Sequence, residues 1–349
     1  MNLLENDRYV KRLNKLIELD LPWKKLMGKT VVISGATGMI GKMLVDVLMH
    51  ENINEKLNCR VVTVGRNKEK AEERFGDYLK REDFKFIEAN INREQIEIDG
   101  VDFILHLASP THPKQYATEP ISTIMTNVVG LDNMLKIAVK NEESRFLFAS
   151  SVEIYGENRG DVNEFDEKYL GYIDCNTLRA GYSEGKRLGE ALCQAYKTQY
   201  NLDFVTVRLA RVFGPTMLAT DSKASSQFIM NAVKKEDIVL KSEGQQEYSF
   251  LYVADAVKGI LYVLLKGKSG EVYNVADKKF NIKLRDFAMT CAEIAEKKVV
   301  FELPSEVEKR GFSKATKALM KSGKIKELGF RVNDELKKSV KETVEILRG

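Results

Sequence analysis

Tyr182 and Lys186 stand four residues apart in a stretch that reads as helix, so a phenol and an ammonium share one helical face. A nearby cation favours phenolate, which equips Tyr182 as a base near neutral pH. That spacing alone describes many plain helix surfaces. Here it lies downstream of the apolar run RFLFASS, whose last residue, Ser151, is placed to orient the same substrate hydroxyl. Two positions on, Glu153 is either a reacting carboxylate or a surface acid at a strand end. Near the start of the chain, TVVIS (30–34) runs into GATGMIG (35–41). Gly35 permits a sharp turn, Gly38 lets the backbone approach a pyrophosphate, and Gly41 packs a helix on the strand. With Thr37, Met39 and Ile40, the loop offers amides to anionic oxygens.

The elements that must position these groups follow from the pattern. Short β-rich runs at 60–64, 84–88, 102–108, 145–150 and 203–210 alternate with helical stretches at 39–49, 67–78, 121–138 and from 181. Such alternation predicts a Rossmann-type α/β fold, a doubly wound parallel sheet, with a smaller interleaved α/β substrate lobe. After Gly214-Pro215 the alternation loosens, and EVYNVA (271–276) reads as one more strand of the first sheet. The expected organisation is a helical extension over 1–27, with an amphipathic helix at 3–20. A dinucleotide domain then covers 28–212 and 248–278, and a substrate lobe 213–247 and 279–349.

At the end of the second strand, an acid would bind the adenosine ribose hydroxyls and select NAD. The chain has Gly65-Arg66-Asn67. A guanidinium there suits a 2′-phosphate or stacks on adenine, and equally describes a solvated loop arginine. NAD and NADP both stay open, with Arg66 leaning to NADP.

Composition excludes other classes. The 55 basic residues nearly cancel the 51 acidic ones, and a net charge of +4 is too small to argue for nucleic acid. The four cysteines (59, 175, 193 and 291) form no CxxC pair, and three histidines supply no metal set, so no metal is expected. No apolar run suits a membrane span, and the acid-bearing N-terminus resembles no leader peptide. A cytoplasmic protein with reduced thiols is expected. His106, Cys175 and Cys193 read as structural.

GATGMIG, Asn127-Val-Val-Gly130, ASSVEIYG (149–156), YSEGK and Phe213-Gly214-Pro215, in this order, resemble the extended short-chain dehydrogenase/reductases that act on nucleotide sugars. Within that group, HLASPTHPKQYATEPI (106–121) and RAGYSEGKRLGE (179–190) are most similar to UDP-glucuronate decarboxylases, with dTDP-glucose 4,6-dehydratases close behind. The resemblance implies a tightly bound, recycled NAD or NADP that takes hydride from carbon 4 while Tyr182 takes the hydroxyl proton. Lys186 would bind the nicotinamide ribose, and Ser151 the sugar oxygen. It further implies cofactor contacts from Asn67, Asn90, Ile91, Leu107, Ala108, Ser109, Asn127, Ser150, Ala210 and Val212. Substrate contacts would come from Pro110, Tyr116, Ser151, Arg211, Gln227, Tyr248 and Arg310.

The sequence departs from the pattern at three places. Val152-Glu153 replaces the Asp-Glu of dehydratases and the Ser-Glu of decarboxylases. Tyr248 stands where an arginine usually faces the substrate diphosphate, and Arg211 where an asparagine is common. Decarboxylation, 4-epimerisation and 4,6-dehydration therefore stay open. A non-catalytic NAD(P) sensor is a further alternative, which would need the glycine loop but not Ser151, Tyr182 and Lys186. In relatives, helices matching 121–140 and 181–200 form a four-helix homodimer interface, and burial within the monomer is the other reading.

Overall fold

Valine- and isoleucine-rich runs bounded by glycine and charge become strands here because a parallel sheet covered by helices buries both of their faces. The structure is a computed structural model that describes residues 2–55, 57–111, 113–305 and 315–349. In its first half lie β1 (Thr30–Ser34), β2 (Arg60–Gly65), β3 (Phe84–Glu88), β4 (Phe103–His106), β5 (Arg145–Ser151) and β6 (Asp203–Leu209). They are followed by β7 (Arg211–Phe213), β8 (Ile238–Leu240), β9 (Glu247–Tyr252) and β10 (Val272–Val275). The last are β11 (Asn281–Lys283), β12 (Val299–Phe301) and β13 (Lys317–Ala318).

Seven strands form one parallel sheet in the order β10-β6-β5-β4-β1-β2-β3, the Rossmann-type doubly wound architecture expected from the alternation. The order reverses between β1 and β4, and ligands of such sheets bind outside the strand carboxyl ends at that point. Ser34 and His106 end those two strands in register, joined by a 2.8 Å hydrogen bond between Oγ and Nδ1. Burial presses His106 down to about 3, so it is a neutral core residue at this pivot.

Beyond β6 the chain changes sheet within one residue. The Ala210 amide still donates to Val275 of β10, while Arg211 already pairs alongside Phe250 of β9. Strands β7, β9, β11 and β13 make the smaller sheet, which therefore holds residues 248–252, whereas 272–275 return to the large one.

Two helices differ from their predicted forms for visible reasons. The N-terminal stretch breaks at Asn6, whose side chain accepts from the Arg8 and Tyr9 amides and starts a fresh helix, Asp7–Ile17. The stretch predicted as one helix from 121 to 138 is two, Pro120–Met125 and Leu131–Lys140, joined by a π-helical turn over Thr126–Gly130. That widened turn carries Asn127, whose carboxamide is held between the Thr123 carbonyl and the Ser109 hydroxyl.

The N-terminal helix bridges distant parts. Tyr9 donates to Asp46 at 2.5 Å, and Asp46 is also paired with Lys42 on the helix Met39–Glu55. Arg12 pairs with Asp334 at 2.5 Å and with Glu342 at 2.9 Å on the helix Leu336–Arg348. Among the described residues, no helix is long and apolar enough to cross a membrane, and no cluster of histidine, cysteine and acids has the makings of a metal site.

Candidate active site

The loop between β1 and the helix Met39–Glu55 is shaped by what its glycines lack. Gly35 has φ +76°, and a Cβ there would lie 2.5 Å from the Ala108 nitrogen. A Cβ on Gly41 would lie 2.4 Å from the Gly35 carbonyl oxygen. On Gly38 it would meet only that same oxygen, at 3.3 Å, so the other side of Gly38 is open. Strand, turn and helix start are thus drawn together with one bare backbone face, the form that admits a pyrophosphate. Ser150, at the end of β5, has a buried hydroxyl with no protein partner. The residues present fit a dinucleotide.

The other predicted cofactor residues lie on strand ends and the loops beside them. Leu107 and Ala108 follow β4, with the Leu107 amide on the Ser34 carbonyl. Ser109 is tied to Asn127 at 3.0 Å. Arg66 is exposed at the end of β2, and Asn67 spends its side chain capping the helix Lys68–Phe75 through the Lys70 amide. Asn90 accepts from the Asn92 amide, and the Ile91 carbonyl accepts from Asn133. Ala210 and Val212 are buried where the chain changes sheet.

Tyr182 and Lys186 lie on the helix Ala180–Tyr200, one turn apart and both buried. The Ser151 hydroxyl accepts from the Glu153 amide at 3.3 Å and bears on the Tyr182 phenol. Lys186 donates to the Ala149 carbonyl at 2.7 Å, and burial presses its ammonium down to about 7. The phenol itself is raised, chiefly by burial and further by the negative charge of Glu153, while Ser151, Arg179 and Arg211 pull it down. Tyr182 is therefore protonated at neutral pH, and the cations that pull on it are Arg179 and Arg211, where the helical spacing suggests Lys186.

Those arginines close on Glu153. Arg179 Nη2 is 2.8 Å from Glu153 Oε2, and Arg211 Nη2 is 2.9 Å from Oε1. Burial alone would raise this carboxyl, but the two guanidiniums overrule it and hold Glu153 below the usual carboxylate range. Each guanidinium also lies over a ring, Arg179 at 4.3 Å from the Tyr116 centroid and Arg211 at 3.9 Å from that of Tyr248. Tyr116 is 5.1 Å from the Tyr182 ring, centroid to centroid. Ser151, Glu153, Tyr182, Tyr116, Arg211 and Tyr248 are thus brought into one cluster. Pro110 lies on the loop after β4, its carbonyl accepting from Ser109. Gln227 turns its amide to the Ser222 carbonyl at 3.3 Å, within its own segment. Arg310 falls outside the described residues.

Residues 31–276 match the NAD dependent epimerase/dehydratase family. The chain belongs to this family. It is 34% identical over 245 residues to UDP-glucuronic acid decarboxylase 1 of Xenopus tropicalis, covering 70% of this chain and 55% of the relative. Over 302 residues it is 30% identical to UDP-glucuronic acid decarboxylase 6 of Arabidopsis thaliana, covering 85% of this chain and 84% of that protein. The chain spans a little over half the length of the first vertebrate relatives it matches. Among solved structures, the UDP-glucuronic acid 4-epimerase of Bacillus cereus superposes with a TM-score of 0.78 at 19% identity, over 91% of this chain and 99% of that one. A dTDP-glucose 4,6-dehydratase of Bacillus anthracis gives 0.75 at 18%, over 91% and 96%. At such identities these two likenesses speak for the fold alone.

Within an epimerase/dehydratase frame, sequence reasoning assigned no role to Arg179. A signal was available, because Arg179 precedes Tyr182 by three residues and so falls on the face of that helix that carries the phenol. The meeting of Arg211 with Tyr248 had no local signal. It follows from pairing between β7 and β9, which puts the Arg211 guanidinium over the Tyr248 ring.

Proposed function

We propose that this chain is a nucleotide-sugar enzyme that transiently oxidises carbon 4, with decarboxylation of a UDP-linked uronic acid as the preferred reaction. The observation that carries the reading is the buried Tyr182 phenol, packed on Tyr116, beside a Glu153 carboxylate neutralised by two arginines. When bound, a nicotinamide cofactor supplies the hydride acceptor. The glycine loop, Ser109, Asn127 and Ser150 would hold it, and Lys186 would face its ribose. Ser151 holds the sugar oxygen in line with Tyr182, and Tyr182, once ionised, accepts the hydroxyl proton. A ketone at carbon 4 makes the substrate a β-keto acid, whose carbon–carbon bond breaks to release carbon dioxide as the ketone oxygen gathers the electrons. Carbon 5 then takes a proton and carbon 4 is reduced again. A lone Glu153 would repel an acidic sugar, and paired with Arg179 and Arg211 it does not.

The relatives named as decarboxylases favour this reaction over the alternatives. Simple 4-epimerisation is the second reading, supported by Val152, which donates no proton where dehydratases carry an acid. Arg66 supports NADP alongside NAD. Exposed Ile121, Met125 and Leu188 on the helices at 120–125 and 180–200 support a homodimer through a four-helix bundle. A cytoplasmic location fits the absence of any membrane-length helix among the described residues. Incubation with UDP-, dTDP-, GDP- and CDP-sugars, followed by mass and NMR, tests the reaction. Loss of carbon dioxide from a uronate supports it, whereas loss of water, or inverted couplings at constant mass, moves the conclusion to dehydration or epimerisation.

A further inference from the structure

The charges around Glu153 do not balance, and the surplus indicates what the site accepts. Arg179 comes from the start of the helix Ala180–Tyr200, Arg211 from β7, and Glu153 from the turn after β5. Each carboxylate oxygen is taken by one guanidinium. Arg179 keeps Nε and Nη1, and Arg211 keeps Nε, buried with no hydrogen-bond partner. Two cations therefore share one anion, and the other ionisable groups coupled to the cluster are the phenols of Tyr116, Tyr182 and Tyr248. Lys186 is turned to the Ala149 carbonyl. A buried cation with unfilled donors is costly unless an anion arrives to use them.

We propose that Arg179 and Arg211 form the seat for the carboxylate of an acidic sugar, and that Glu153 is a positioning residue that spaces the two guanidiniums rather than a proton carrier. This deepens the nucleotide-sugar reading above and rests on it. Tyr116 and Tyr248 lie against the two guanidiniums, which are planar groups suited to a carboxylate. Both oxygens of Glu153 are already engaged, and a carboxylate held below its usual range is a weak base.

Calorimetric titration of the cofactor-loaded protein with UDP-glucuronate and with UDP-glucose tests the seat. Wild type is expected to prefer the acid by about ten- to a hundredfold, the worth of charge-assisted hydrogen bonds. Arg179→Gln and Arg211→Gln, on different elements, are each expected to bring the ratio towards one while UDP-glucose affinity holds. Glu153→Gln weakens the tie between the two guanidiniums and is expected to weaken UDP-glucuronate alone. A thermal midpoint and cofactor titration on each variant show that it is folded, and any one folded arginine variant suffices. An unchanged ratio in a folded arginine variant overturns the seat. Unchanged or tighter acid binding in Glu153→Gln overturns the spacing role. Equal binding of both sugars by wild type overturns the seat while leaving the oxidation reading standing. Binding of neither overturns the nucleotide-sugar reading and the seat with it.

Discussion

The glycine loop after β1 and the arginine cluster around Glu153 are built on opposite principles. The loop works through missing atoms, since every added Cβ at Gly35 or Gly41 collides with backbone that cannot move away. The cluster works through side chains brought from three separate segments, held by charge and by ring faces. A backbone site tolerates almost no exchange and so accepts one ligand type. A side-chain site is re-tuned by single substitutions. One sheet can therefore keep its cofactor while its reaction changes.

The largest effect should come from Tyr182→Phe, which removes the proton acceptor and keeps the ring. Turnover is expected to fall about 10²–10⁴-fold with cofactor affinity unchanged. Near-normal turnover would remove Tyr182 from the chemistry and break the division between the two regions. Gly41→Ala should do the converse. Its Cβ would press on the Gly35 carbonyl oxygen at 2.4 Å, an overpacking cost of about 1–3 kcal/mol, and cofactor titration should show lost affinity. Full retention of cofactor binding would show that the loop yields after all.

A smaller effect belongs to Lys186. Its ammonium titrates near 7 in the folded protein against 10.5 for an exposed lysine. Between those values the unfolded chain holds the proton and the folded chain does not, so stability from this group rises with pH across that window. Lys186→Met should remove that rise, visible as a changing gap between the two thermal midpoints from about pH 6 to about pH 10. Parallel curves would mean that Lys186 is not ionically strained. The same pH dependence should survive in Gly41→Ala. Smallest is Arg66→Asp, expected to shift preference from NADP towards NAD in parallel fluorescence titrations. An unchanged ratio would make Arg66 a solvated loop residue.

The fold was legible because its signals are local. Apolar runs such as TVVIS and RFLFASS, each followed by turn residues and a helix, name their own strands. The seven-residue loop names its own shape through glycine. The π-helical turn at Thr126–Gly130 was not legible, because a carboxamide held from Ser109 on another loop overrides a periodic helix pattern. In the site, Ser151, Tyr182 and Lys186 could be named from spacing and resemblance. What Glu153 touches could not be, since its partners lie 26 and 58 positions away, and strand pairing rather than sequence distance delivers Arg211.

The bond between Arg12 and Glu342 closes a circuit of 330 sequence positions. The entropic cost of closing such a loop grows only slowly with its length, so the finished protein loses little by it. The time needed to form it is another matter, since contacts between distant positions form late. The helix Asp7–Ile17 can rest against Met39–Glu55 as soon as both exist, but Arg12 waits for residues made far later. Until those residues exist, contacts to Met39–Glu55, such as Tyr9 to Asp46, are what can hold this helix.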